Sequence, residues 1–115
     1  MLEDKRENIL NAATDVFSKH GFYGAKMEDI AKKADIGKGT IYGYFDSKES
    51  LFYEMIRYGI KGYERGFNEA LERDGSFEEK LNAFSKFHGE YINKYIAITQ
   101  IIMMEKEVLS RKLMQ

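Results

Sequence analysis

Cysteine and proline are both absent from this 115-residue chain, and only two histidines occur. His20 and His88 lie far apart, and neither belongs to a His-x-x-x-His pair, so no metal site is expected. No apolar run approaches the length of a membrane span and no signal peptide is legible, which together lead us to expect a cytoplasmic protein outside the membrane. No Ser-His-Asp set, phosphate loop or pair of carboxylates stands out, nor any internal repeat or low-complexity segment. The expectation is no enzyme, no catalytic residue and no cofactor. Excess charge is missing too: the formal net charge is -1, with basic and acidic residues nearly balanced before Leu51. Attraction for a polyanion therefore has to come from a local cluster, Lys26, Lys32, Lys33, Lys38 and Lys48.

What is present is helical periodicity. Met27, Ile30, Ala31 and Ala34 recur at the spacing that lines one helix face, with Glu28, Asp29, Lys32 and Lys33 on the other. Ile36 falls in a short connection, and Ile41 and Phe45 form a second apolar pair, so a second helix is predicted over Gly37 to Phe45. Two helices joined so tightly cannot hide their apolar faces alone. The preceding stretch supplies a cover, with Ile9, Leu10, Ala13, Val16, Phe17 and His20 on one stripe of a helix ending at Gly21. The three together predict a small core of the kind in which a helix-turn-helix occurs.

The second helix of that motif has the chemistry of a duplex-reading surface. Lys38, Gly39 and Thr40 offer a cation, a place where backbone approaches closely, and a hydroxyl with a methyl, the groups that base edges and phosphates call for. Tyr42 and Tyr44 point away from Ile41 and Phe45, and a phenol donates to phosphate oxygens. Lys48 opens the next helix, where free backbone N–H groups favour an anion. The plainer alternative stays open for each: a solvated helix surface, or, for Tyr44, a half-buried core ring.

In order and spacing, KRENILNAATDVFSKHGF, MEDIAKKADIGKGTIYGYF and DSKESL resemble the N-terminal domain of the TetR/AcrR family of bacterial transcriptional regulators. The resemblance covers about the first fifty residues without a gap, and its GT-hydrophobe-Y-x-x-F followed by KE-x-L is specific. It implies an all-α protein: a three-helix DNA-binding head, a long connecting helix and a helical C-terminal domain that binds a small effector. It also implies a homodimer whose second motif helix enters the major groove of a palindromic double-stranded DNA operator. Carried over by position, Lys38 and Gly39 fall where bases are contacted, and Thr40 where a base or phosphate is. Tyr42, Tyr44 and Lys48 fall on phosphate positions. Three departures stand out. Ala25 and Lys26 replace the usual capping hydroxyls, at a cost of about 1 kcal/mol, although Lys26 is long enough to reach a phosphate. Asp35, Ile36 and Gly37 replace Gly-Val-Ser, so Gly37 caps without a hydroxyl and Asp35 must take a positive φ or bend the turn differently. Gly43 stands where an aromatic residue or histidine is common.

Beyond the head, Asp46 and Glu49 have capping-box spacing, and Leu51, Phe52, Met55, Ile56, Gly59, Tyr63, Phe67 and Leu71 continue a stripe to Arg73-Asp74-Gly75. Gly59, Gly62 and Gly66 share nearly one face, either admitting a close neighbour or softening the helix. Ser76 and Glu79 form a second capping box, opening a helix with Phe77, Leu81, Phe84, Phe87, His88, Tyr91, Tyr95, Ile98 and Ile102 on one broad side. A break is expected near Asn93 to Tyr95. Phe84, Phe87, His88, Tyr91 and Tyr95 suit either an effector pocket or a plain helix–helix core.

The expected division is a DNA-binding domain over 1–50 and the first helices of an effector-binding and dimerisation domain over 51–115. Against the resemblance the second part is short, so the chain reads as part of a longer protein. Ile101, Ile102, Met103, Met104, Val108, Leu109 and Leu113 are then expected to form a bare apolar face, and Glu105 and Glu107 a solvated one. Two functions are in play: a ligand-responsive repressor, or a helical protein-interaction module that keeps the motif only as structure.

Overall fold

The computed structural model describes the backbone of residues 2–104, 110 and 111, and the side chains of 5–93, 95, 96, 100, 110 and 111. Among the described residues the fold is all-α, as expected: α1 (Leu2–Gly24), α2 (Met27–Lys33), α3 (Lys38–Tyr44), α4 (Lys48–Glu72) and α5 (Phe77–Met104). Two compact units divide it, Met1–Ile56 with Ala97–Gln115, and Arg57–Ile96.

The first unit is built on α1. Ile9, Leu10, Ala13, Val16 and Phe17 are buried on its inner stripe, as their spacing predicts. Helical geometry breaks at Gly21, whose φ of 72° and ψ of 179° suit glycine alone. His20 does not join the stripe. It is exposed, because the chain turns away at the very next residue.

Met27, Ile30, Ala31 and Ala34 of α2 and its C-cap are buried, and α2 ends in a Schellman turn. Asp35 takes φ 59°, its N–H donates to the Lys32 carbonyl at 3.1 Å, and the Ile36 N–H donates to the Ala31 carbonyl at 3.0 Å. The residue in the left-handed position of this motif is usually glycine. Asp35→Gly is therefore expected to stabilise the head by about 0.5 kcal/mol, relief of left-handed strain exceeding the extra freedom of the unfolded chain. A higher urea midpoint at unchanged slope checks it; a lower midpoint would mean that the carboxylate itself contributes.

Gly37, extended at φ -72° and ψ 153°, caps α3 without a side-chain bond, and its carbonyl accepts the N–H groups of Thr40 and Ile41 at 3.0 and 3.2 Å. Ile41 and Phe45 turn inward at 0% and 3% exposure. Leu51, Phe52 and Met55 from the first turns of α4 complete this core, which is why the unit runs on past residue 50 to Ile56. The rings of Phe17, Phe22 and Phe52 meet at its centre, Phe52 lying edge-on to Phe17 and Phe22 at centroid separations of 5.0 and 5.2 Å. The cap of α4 is Ser47 rather than Asp46. The helix starts one residue later than the Asp46–Glu49 spacing suggests, and Ser47 Oγ accepts the Ser50 N–H at 3.0 Å.

In the second unit the Ser76–Glu79 capping box forms as predicted. The Glu79 N–H donates to Ser76 Oγ at 3.1 Å, and the Ser76 N–H to Glu79 Oε1 at 3.2 Å. The Ser76 backbone N–H first, and then the Ser76 hydroxyl, hold the Glu79 carboxyl below its ordinary value of 4.5. A carboxyl with a depressed folded-state pKa stabilises the fold above its unfolded value, and that contribution is lost as pH falls through the folded one. Glu79→Gln is accordingly expected to flatten the acid limb of the unfolding-midpoint curve below pH 4.5. An unchanged acid limb would contradict this.

α5 runs unbroken through Asn93 to Tyr95, contrary to the expected interruption. No glycine or proline lies between Tyr91 and Met104, and asparagine alone costs a helix only a few tenths of a kcal/mol. The three glycines of α4 admit a close neighbour. A Cβ at Gly62 would lie 2.9 Å from the Tyr91 hydroxyl, one at Gly66 would fall on the Phe87 ring, and one at Gly59 would stand 3.6 Å from Tyr95 Cε1. The Tyr91 hydroxyl donates to the Gly59 carbonyl, and burial raises its pKa far above the ordinary phenol value. The side chains of Ile98 and of the expected bare face, Ile101, Ile102, Met103, Met104, Val108, Leu109 and Leu113, lie outside the described residues, as do Glu105 and Glu107.

Candidate nucleic-acid interface

A helix of seven residues, α3, carries most of the residues singled out from the sequence. Lys38, Gly39, Thr40 and Tyr42 are exposed, Tyr42 at 45%, and Tyr44 is half-buried. Helical spacing turns Ile41 and Phe45 into the core and leaves this opposite surface to solvent. Gly39 and Gly43 have nothing within 4 Å of a would-be Cβ, so the outer backbone of α3 is bare at two points one turn apart. Gly37 and Lys26, the N-caps of α3 and α2, are exposed as well, and neither makes a side-chain cap bond.

The local charges are partly matched. Lys38 Nζ lies 3.9 Å from Glu28 Oε2 and Lys33 Nζ lies 3.7 Å from Asp15 Oδ2, all four side chains being 45% exposed or more. Pairs this open contribute little and exchange readily for another anion. Lys48 differs from the other lysines: it is half-buried, its ammonium donates to the Ala25 carbonyl at 3.0 Å and sits 4.5 Å from the Phe22 ring centroid.

Two groups that the sequence did not single out hold the motif in place. Asn8 Nδ2 donates to the Ala34 carbonyl at 2.8 Å, fastening α1 to the turn before α3. Arg6 stands 5.2 Å over the Phe45 ring and 3.1 Å from Glu54. Both partners are distant in sequence, so periodicity carried no signal for either.

The five ring-bearing residues expected at an effector site are brought together on α5, packed against rings of α4. Tyr63 meets Phe87, His88 and Tyr91 at centroid distances of 5.5, 5.8 and 5.4 Å, and Phe67 meets Phe84 at 5.1 Å. Tyr91 stacks on Tyr95 at 4.4 Å, and the Tyr63 hydroxyl lies 2.9 Å from His88 Nδ1. A groove beside them is lined by Gly62, Arg65, Gly66, Glu69, Ala70, Arg73, Ala83 and Phe87, so of the five only Phe87 borders it. Among the described residues there is no group of three or more metal-ligating side chains, and no helix is long and apolar enough to cross a membrane.

A short, exposed helix set behind a tight turn on a three-helix core defines a helix-turn-helix protein. Residues 9–55 match the family model for bacterial regulatory proteins of the tetR family. The chain is 32% identical to the HTH-type transcriptional regulator YhgD of Bacillus subtilis, over 93% of this chain and 64% of that protein. It is 41% identical to the HTH-type transcriptional regulator UidR of Escherichia coli, over 58% of this chain and 34% of that one. The fold is similar to that of the fatty acid degradation regulator FadR from Bacillus halodurans, at a TM-score of 0.69 and 26% identity, over 92% of this chain and 60% of that one. A protein from Mesorhizobium loti, described as a TetR-family transcriptional regulator, shares the fold at a TM-score of 0.74 and 24% identity, over 95% of this chain and 56% of that one. The match to the tetR family is thus carried by the head, residues 9–55, and the chain as a whole is similar to HTH-type transcriptional regulators. The chain spans less than two thirds of the length of each of these relatives. All of these relatives are described as regulators.

Proposed function

We propose that this chain is the reading head and the first effector-domain helices of a ligand-responsive transcriptional repressor. It acts in the cytoplasm and, in the intact protein, binds a palindromic double-stranded operator as a homodimer. In this reading Lys38 and Gly39 meet base edges, Thr40 a base or phosphate, and Lys26, Gly37, Tyr42 and Tyr44 the sugar-phosphate backbone. The supporting observation is the exposure of Thr40 and Tyr42 on a helix whose other face, Ile41 and Phe45, is locked into the core. With a net charge of -1, the field at this face is local, so binding is expected to be strongly salt-dependent.

The segment from 51 onwards belongs, in the same proposal, to the effector-binding and dimerisation domain. Phe84, Phe87, His88, Tyr91 and Tyr95, interlocked with α4, would form one wall of an effector site rather than an open cavity. An effector would favour a spacing of the two heads that no longer matches half-sites one helical turn apart.

Selection of bound sequences from random duplexes, using this chain, tests the reading. Enrichment of one palindrome is expected. No enrichment even at low salt would favour the other reading, a helical protein-interaction module that keeps the motif only as structure.

A further inference from the structure

Among the described residues, the α1–α2 connection makes no side-chain cap bond to the first turn of α2. Ala25 is 1% exposed and offers only a methyl, and Lys26 caps α2 without a side-chain bond. The tie comes from α4 instead. Lys48, the first residue of α4, reaches across 23 positions of sequence to place its ammonium on the Ala25 carbonyl at 3.0 Å, against the face of the buried Phe22 ring at 4.5 Å. The Ala25 N–H is already bonded to the Gly21 carbonyl at 3.1 Å, so both backbone polar groups of this buried residue are engaged, one from each side. A cation at the first position of a helix opposes the helix dipole. The carbonyl and the ring offset that cost and desolvate the ammonium while doing so.

We propose that Lys48 is a positioning residue of the head. It fixes the entry of α2, which has no capping side chain, against the start of α4, and so sets the placement of α2 and α3 for binding. This rests on the repressor reading for its functional half, since a phosphate contact at the same residue would serve that reading equally well. The two roles differ in what they make of charge. A phosphate ligand releases a counterion and a strut does not.

Lys48→Met keeps the stem and removes the cation and its donors, whereas Lys48→Arg keeps both. Hydrogen exchange of the free protein is followed at Asp29 and Ile30, whose N–H groups donate to the Lys26 carbonyl at 3.0 and 3.2 Å and are the first bonded amides of α2. In Lys48→Met these amides are expected to exchange about fivefold to tenfold faster. Affinity for the duplex selected by the wild-type chain falls about tenfold, with the slope of log K against log salt unchanged. Lys48→Arg restores both. A slope reduced by about 0.9 with unaltered exchange would make Lys48 a phosphate ligand and overturn the proposal. So would a methionine variant that matches the wild type in both readouts, or a failure of arginine to rescue. If methionine unfolds the head, rescue by arginine alone decides. If the wild-type chain selects no duplex, the repressor reading fails, while the exchange measurement still judges the strut.

Discussion

Replacing Phe52 with alanine is expected to unfold the head and with it to abolish duplex binding. Phe52 is 0% exposed and lies edge-on to both Phe17 and Phe22. Truncating a buried phenylalanine costs about 3–5 kcal/mol, and each aromatic pair contributes about 0.5–1.5 kcal/mol beyond the area it buries. A unit of this size has a total stability of only about 3–8 kcal/mol, so the loss is comparable with everything that holds it together. Because Phe52 belongs to α4, the same change uncouples the connecting helix from α1. Circular dichroism should show loss of the cooperative transition of the head, while Phe52→Leu, which keeps most of the volume, retains it at a lower midpoint. A cooperative head in the alanine variant would show that the three rings are not the centre of this core.

Gly66→Leu is the second large effect, and it falls on the other unit. Even a single Cβ at Gly66 lands on the Phe87 ring, which is itself held between Tyr63 and Tyr91 at 5.5 and 5.4 Å. Phe87 is half-buried, so moving its ring costs mainly these contacts with Tyr63 and Tyr91. Overpacking of this kind costs about 1–3 kcal/mol per site, and leucine places it at the upper end. Gly89 on α5 is the internal control, since nothing stands within 4 Å of a Cβ there. Gly89→Ala is expected to stabilise by about 1 kcal/mol through helix propensity alone. The two substitutions therefore act in opposite directions although both remove a helical glycine. Gly66→Ala combined with Phe87→Leu, which clears the ring away, should recover part of the loss. Equal effects at 66 and 89 would mean that the close approach of α4 and α5 is not what selects glycine.

Local chemistry was the legible part of this sequence. The break of α1 at Gly21, the capping glycine of α3, the positive φ offered as one option for Asp35, and the Ser76–Glu79 box all follow from rules that act within a few residues. The inward faces of α2 and α3 followed from periodicity, and the family resemblance from the Gly39 to Leu51 spacing. What failed was whatever another segment decides. His20 continues a stripe by spacing but lies one residue before the chain turns, and spacing does not record the turn. Asp46 and Ser47 both make good caps, and the register of α4 on the Phe17–Phe22 cluster chose between them. The phosphate position of Lys48 came from the motif, and spacing gave no sign of its bond to the Ala25 carbonyl, 23 residues away. The break expected in α5 came from length alone, and length does not end a helix that has no residue to break it.

The central claim is that the outer face of α3 is a duplex-reading surface and not merely the solvated back of a core helix. Tyr42→Ala and Thr40→Ala test it most directly, with affinity for a selected duplex and unfolding midpoint measured on the same samples. Both side chains are exposed, so stability should change by no more than about 0.5 kcal/mol. Affinity should fall about tenfold or more at each, with discrimination between duplex sequences weakened at Thr40. Variants that bind as the wild type does, or that lose stability and affinity in proportion, would contradict the account.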